Sequence, residues 1–364
     1  VRALADLMEV LRRPGPWCTV HAEVSTGSVT TLGRADKLGQ VIARALARAG
    51  ASEPDARAAE SVDWTAEGAA SPASRFVLIH GGEVAVNEVL PGAPTQPFVE
   101  VGPIPDLLPL AAVRGSDVDY LVVEAERADA SISRHRASAA RSAVRHEVHG
   151  ITENITKVPL GGYSQGKYQH RTEEIWRRNG ADVAAEVNRL VDEGGVQLVV
   201  LAGDERARSK VRGALSERAL RLAQVIDMNS LAPGGGRARF EEEVSAVVAG
   251  VAARRQRETL ERLVAGLGSQ AARDWAETLR ALREGRVDTL LLCPAAAEGR
   301  RLVALGSEPW AAETEDGALG APVLGLASSA ATLLRAAVLT RAETVLYPAG
   351  MLDGGDVAAA LLRW

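Results

Sequence analysis

The sequence predicts a multidomain α/β protein: an α+β N-terminal domain over residues 1–115, an α/β central domain over 116–232 and a small α/β sandwich over 233–364. Three observations lead to that class. Near-continuous apolar runs of strand length recur along the chain with helix-period segments between them, the pattern of a layered α/β fold. A length of 364 residues suits two or three domains. The string Ala232-Pro233-Gly234-Gly235-Gly236 is the strongest linker signal, and Gly115-Ser116-Asp117 breaks the pattern earlier.

Leu4, Leu7, Met8 and Leu11 fall at i, i+3, i+4 and i+7, so Val1–Leu11 reads as an amphipathic helix and not as a signal peptide. Trp17–Val24 (WCTVHAEV) predicts a strand, with helices expected over Ala35–Ala49 and Glu53–Glu67. Arg75–His80 and Glu83–Leu90 are β-rich runs separated by Gly81-Gly82, a hairpin signal, and Asp106–Val113 predicts a short helix. Val118–Ala125 (VDYLVVEA) suits a buried strand, with Ala128–Ser133 as its hairpin partner. Arg134–Lys157 is polar and basic without a period and reads as loop. Helical spacing then runs through Ile175, Val183, Val187, Leu190 and Val191, predicting a helix over Thr172–Glu193. Val196–Ala202 predicts a strand, Glu205–Leu215 a helix and Ala223–Met228 a strand. Beyond the linker the expectations are a long helix Phe240–Leu267, a helix Trp275–Arg283, a strand Val287–Cys293, a helix Ser328–Ala337, a strand Thr344–Tyr347 and a closing helix Val357–Leu362.

Hydrophobic residues make up 46% and charged residues 24%, which fits a protein with a conventional core and neither a disordered chain nor a membrane one. No apolar run reaches the length of a membrane span. Two distant cysteines, Cys18 and Cys293, exclude a disulfide framework and a cysteine-rich zinc site, and suit a reducing, cytoplasmic setting. Lysine occurs only at Lys37, Lys157, Lys167 and Lys210, so arginine carries nearly all the positive charge, the skew of a GC-rich bacterial genome. The net charge of −5 argues against a generic nucleic-acid coat but leaves room for a local basic patch.

The most unusual stretch is Leu160–Arg171, LGGYSQGKYQHR. Gly161 to Lys167 fits the start of a phosphate-binding loop, G-x-x-x-x-G-K, but Tyr168 stands where that chemistry needs a Ser or Thr to ligate magnesium. A P-loop-like nucleotide-binding protein is therefore one alternative. The loop also sits in a basic region. From Ser131 to Gly180 there are nine Lys and Arg against four Glu. Arginine forks grip phosphates and glycine lets backbone approach closely, so the composition points to RNA. His146 and His149 raise a metal question, but no third ligand stands at a recognisable spacing, and no metal or other cofactor is expected.

At this loop the chain resembles the archaeal-eukaryotic class of peptide release factors and their bacterial relatives. That family carries a Gly-Gly-Gln tip followed by Ser, two residues, and then a basic and an aromatic residue. Gly161, Gly162, Ser164, Lys167 and Tyr168 match this pattern, and Tyr163 stands in the glutamine's place. Gly195–Leu215 resembles the strand, Ala-Gly and helix that follow the family's tip helix, and Trp275–Leu292 the helix, Gly-Val and strand of its third domain. The resemblance covers roughly residues 116–364. The family's stop-codon element, Asn-Ile-Lys-Ser, has no counterpart in residues 1–115.

A factor of this shape without either chemistry resembles the Balon-type ribosome hibernation factors within the family. The resemblance implies a non-enzymatic, cytoplasmic, monomeric protein that fills the ribosomal A site and shields the decoding and peptidyl transferase centres. Its implied partners are the 70S ribosome and elongation factor Tu, with no membrane. The residues expected on ribosomal RNA are Gly161, Gly162, Tyr163, Ser164, Gln165, Lys167, Tyr168 and Arg171. Tyr163 and Tyr168 would stack on unpaired bases, Lys167 and Arg171 would contact phosphates, and Gln165 would bond a base edge. No catalytic residue is expected. The enzymatic alternative is a peptidyl-tRNA hydrolase or rescue release factor in which a shifted loop presents Gln165.

Overall fold

Leu4, Leu7 and Leu11 are buried, and they open the chain through a 3-10 turn and a single α-helical turn, α1 (Met8–Leu11). The computed structural model describes residues 4–24, 29–67, 69, 72–94, 97–126, 129–139, 145–149, 165–228, 236–266, 269–351 and 357–364. From α1 the chain enters β1 (Trp17–Glu23), α2 (Val29–Arg48) and α3 (Glu53–Glu60), then the hairpin β2 (Ala73–His80) and β3 (Glu83–Pro91), the strand β4 (Phe98–Gly102) and α4 (Leu108–Gly115). These strands form a sheet in the order β3-β2-β1-β4. Strand β2 is apolar without alternation because both its faces are covered. Phe76 and Leu78 pack with Trp17, Leu11 and Leu110, while Val77 and Ile79 pack with Ile42, Leu46 and Trp64. The helix α3 ends at Glu60, short of the expected Glu67.

Next come β5 (Asp119–Ala125), β6 (Asp129–Arg136), β7 (Arg145–His149), α5 (Gln165–Asp192), β8 (Leu198–Gly203), α6 (Glu205–Ala214), α7 (Glu217–Leu222), β9 (Ala223–Val225) and α8 (Arg237–Gly266). The five strands are ordered β7-β6-β5-β8-β9, with β5, β8 and β9 parallel. Val183, Val187, Leu190 and Val191 of α5 and Val211 of α6 cover one face, and Phe240, Val244 and Val248 of α8 cover the other. Two expectations are corrected here. The loop expected over Arg134–Lys157 contains the end of β6 and the whole of β7, whose polar strand carries no apolar signal. The strand expected over Ala223–Met228 is only Ala223–Val225, and α7 precedes it. The Ala232–Gly235 part of the linker lies outside the described residues.

The chain closes with β10 (Ala271–Ala272), α9 (Trp275–Arg283), β11 (Val287–Leu292), α10 (Pro294–Ala297), β12 (Arg301–Leu305), β13 (Ala311–Ala312), β14 (Val323–Ser328), α11 (Ser329–Leu339), β15 (Glu343–Leu346) and β16 (Ala358–Leu362). One sheet runs β10-β16-β11-β15 and a smaller one β13-β12-β14. The closing helix expected over Val357–Leu362 is instead the strand β16. Its Ala and Leu residues favour helix locally, but the segment lies antiparallel between β10 and β11, where pairing on both sides decides its conformation.

Contacts divide the chain into two compact units: Val1–Asp117 with Ser138–Arg141 and Arg255–Trp364, and Val118–Ala137 with Ser142–Arg254. Within the first, Leu334, Val338 and Leu339 of α11 join the core of Leu7, Leu11, Phe76 and Leu110, so the N-terminal and C-terminal stretches share one core. The mixed α/β multidomain class expected from the sequence is the class observed.

Candidate functional site

Of the residues expected on RNA, Gly161, Gly162, Tyr163 and Ser164 lie outside the described residues. Gln165 opens α5, and Gly166, Lys167, Tyr168 and Arg171 belong to the backbone of its first two turns. The expected tip loop 160–171 is thus corrected from Gln165 onward to helix. This segment is polar, so it gives no apolar period, but Gln, Lys and Arg are good helix formers.

The length of α5 is its main feature. Twenty-eight residues make a helix of about 42 Å, whereas the six residues of β8 span about 20 Å. Both α5 and α6 return antiparallel to the parallel strands and pack side by side. At Gly180 a Cβ would stand 2.8 Å from the Lys210 Cβ, so glycine permits this crossing. Counting back equally from that crossing sets Asp204, the cap of α6, level with residue 174 of α5. The first nine residues of α5 therefore extend about 14 Å beyond the start of α6. The sheet anchors the second half of the helix, and the first half carries its N-terminus away from the anchor.

Polar contacts tie the sheet to the segment that follows α5. Arg134 grips Asp119 through two bonds, Nε to Oδ1 at 2.9 Å and Nη2 to Oδ2 at 2.7 Å, and Nη2 also donates to the Gly194 carbonyl at 3.1 Å. Glu124 on β5 is buried and lies 3.5 Å from Nη1 of Arg237 on α8. The rings of Tyr120 and His135 stack at 5.1 Å and 16°, and His135 Nε2 is 2.7 Å from the Ser133 hydroxyl. Burial, with the nearby Arg237 charge, lowers the His135 pKa, and burial alone lowers that of His21 in the first unit. A histidine held neutral by the fold takes up its proton more readily once unfolded. Stability is therefore complete at pH above about 6.5 and is lost as pH falls through the ordinary histidine range. Acidifying from about pH 7 to about pH 5 is expected to lower the urea unfolding midpoint, and His135→Phe is expected to flatten part of that dependence.

Helix α6 begins where Gly203 ends β8. The Asp204 side chain accepts from the backbone N–H groups of Arg206 and Ala207 at 3.0 and 3.1 Å. Arg208 points inward, donating to the Ile226 carbonyl at 2.6 Å and to Asp227 at 2.8 Å. Arg206, Lys210 and Arg212 are exposed and were not among the expected site residues. The i, i+4 spacing of Arg206 and Lys210 was the available signal.

Among the described residues no group of three His, Cys, Asp or Glu side chains is placed to hold a metal ion. Both cysteines are buried, and burial followed by the Asp55 charge pushes the Cys18 thiol up to about 12. No helix among the described residues is long and apolar enough to cross a membrane.

Residues 119–269 match the family model of bacterial archaeo-eukaryotic release factor family 2. The matched segment runs from β5 through α5 to just beyond α8. The chain is similar to the uncharacterized protein Rv2629 of Mycobacterium tuberculosis (strain ATCC 25618 / H37Rv), at 26% identity over 289 residues, 76% of this chain and 75% of that protein. Among solved structures it is similar to the archaeal Pelota in a model of ribosome-bound Pelota and ABCE1, with a TM-score of 0.41 and 15% identity over 99% of this chain and 94% of that one. It is also similar to the archaeal translation termination factor aRF1, with a TM-score of 0.27 and 15% identity over 100% and 99% of the two chains.

Proposed function

We propose that the protein is a release-factor-like ribosome-binding factor of the Balon hibernation type. In this reading it fills the A site of the 70S ribosome, shields the decoding and peptidyl transferase centres, associates with elongation factor Tu and releases no peptide. The match of residues 119–269 to the release-factor family carries the reading, because that segment contains both the tip sequence and the helix that would carry it. Tyr163 in the glutamine position supports a role without hydrolysis. A phenol ring is bulkier than the glutamine side chain it replaces and would crowd the water or the ester at the tip. The missing Asn-Ile-Lys-Ser element in residues 1–115 supports a role without stop-codon reading.

The test is co-sedimentation with purified 70S ribosomes, with and without elongation factor Tu, together with a peptide-release assay on peptidyl-tRNA complexes. Saturable, near-stoichiometric pelleting without release is expected. Release above buffer would assign the protein to the hydrolytic class instead. Gly162→Asp sets a charge and a side chain where the tip meets RNA phosphates, and is expected to weaken pelleting at least tenfold, about 1.4 kcal/mol or more. Unchanged affinity would remove the tip as an anchor.

A further inference from the structure

We infer that the exposed side of α6, with Arg206 and Lys210 on one face beside the root of α5 and Arg212 further round the helix, docks on the phosphate backbone of ribosomal RNA; the ribosomal setting rests on the function proposed above. Three exposed helical arginines elsewhere in this unit pair with acids one turn away: Arg189 with Glu186 and Glu193, Arg221 with Glu217, and Arg237 with Glu241. On α6 no acid stands three or four residues from Arg206, Lys210 or Arg212. None of the three forms an ion pair among the described residues, whereas the neighbouring Arg208 turns inward to Asp227.

The arrangement also costs the helix something. Arg206 and Lys210 are neighbours at i, i+4, their Cβ atoms about 5–6 Å apart, and like charges at that spacing destabilise a helix. In a chain of net charge −5, a cationic face that works against its own helix calls for an outside anion. The crossing at Gly180 fixes where that anion lies. Lys210 packs directly against α5, so the face sits beside that helix and not on a remote surface. A helix face presenting several cations without aromatic or amide groups between them reads charge and spacing, not base identity, which is how proteins position themselves on a nucleic-acid backbone. Ser209, exposed on the same helix, adds a small hydroxyl that also suits phosphate oxygens.

The double variant Arg206→Gln/Lys210→Gln tests the inference, with Arg254→Gln/Arg257→Gln on exposed positions of α8 as the equal-charge control. Two assays are run on the full chain across a salt series: pelleting with 70S ribosomes, and anisotropy with a short labelled RNA duplex. The α6 variant is expected to bind both more weakly. Its slope of log affinity against log salt is expected to fall by about 0.7–0.9 for each phosphate no longer neutralised, with the control near wild type. Its urea midpoint is expected to stay level or rise slightly, since a repulsion is removed. Ribosome pelleting by the α6 variant with wild-type affinity and salt slope would overturn the inference and leave the ribosomal function standing. Weaker pelleting with unchanged duplex binding would assign the face to a protein partner and overturn it too. Duplex binding that depends on Arg206 and Lys210, with no pelleting by the wild-type chain, would keep the RNA face and remove the ribosomal reading. Binding to neither would remove both.

Discussion

Gly203→Ala is expected to lose about 3–5 kcal/mol of stability. Two costs coincide at this position. Its φ of +100° lies where a side chain strains the backbone, and a Cβ there would meet the main chain of Ala125, with the carbonyl carbon and the amide nitrogen each at 2.9 Å. Neither atom can move aside. The Ala125 carbonyl accepts from Asp204 N–H at 2.9 Å, and Gly203 N–H donates to the Met228 carbonyl at 2.9 Å, so the glycine ties the ends of β5 and β8 and the segment after β9 into one junction. The same junction starts α6 and orients its cationic face. Urea unfolding followed by far-UV circular dichroism is expected to show a large fall in midpoint, or loss of soluble protein. A midpoint within experimental scatter of wild type would mean that the junction relaxes freely.

The residues that build this junction were readable only in part. The strands Asp119–Ala125 and Leu198–Gly203 announce themselves as apolar runs because α5 and α6 cover one face and α8 the other, leaving no polar side. The helix Trp275–Arg283 is equally legible, since Leu279 and Leu282 share a face and Asp274 caps its start. The missed elements fail for physical reasons. Strand β7 is the edge of its sheet, and nothing in a polar edge strand marks a period. Strand β16 has helix-forming residues in a place where two neighbouring strands decide the outcome. The first turns of α5 are polar, and hydrophobic periodicity does not register a helix that leaves its sheet behind. At the candidate site the basic, glycine-bearing sequence is visible without coordinates. The helix predicted over Glu205–Leu215 already sets Arg206 and Lys210 on one face; what the sequence alone does not supply is the crossing at Gly180 that lays this face beside α5. The tip residues Gly161 to Ser164 stand as a proposal that binding measurements will decide.

Arg335→Met carries the second large effect, and it concerns an interaction no local pattern encodes. Arg335 is 1% exposed, in the middle of α11. Its Nε donates to the Leu11 carbonyl at 3.0 Å, and Nη1 donates to the Leu305 carbonyl at 2.9 Å. The guanidinium also lies 5.6 Å from the centre of the Trp310 ring. It thereby satisfies the last carbonyl of α1 and the end of β12 at once, joining parts of the first unit that are 324 residues apart. Burial pushes its pKa down to about 10, so it remains charged at neutral pH and its desolvation is a standing cost. Methionine follows the side chain only as far as Nε and removes that cost, but it leaves two buried carbonyls without donors, each worth about 1–3 kcal/mol. The carbonyl losses outweigh the relief, and a net loss of about 2–4 kcal/mol is expected. Arg335→Lys separates the two contributions. Its ammonium serves one carbonyl well, not two, and burial lowers its pKa below the ordinary lysine value of about 10.4. The unfolded chain then binds more protons than the folded one, so the stability of the lysine variant rises with pH as the buried amine deprotonates, up to about pH 10.4. Wild type, protonated in both states over most of that range, shows no such rise. Tryptophan fluorescence follows both variants, because Trp17, Trp64, Trp275, Trp310 and Trp364 all belong to this unit. A methionine variant as stable as wild type would mean that the two carbonyls find water once the guanidinium is gone, and that the shared core of α1, α4 and α11 holds the termini together by apolar contact alone.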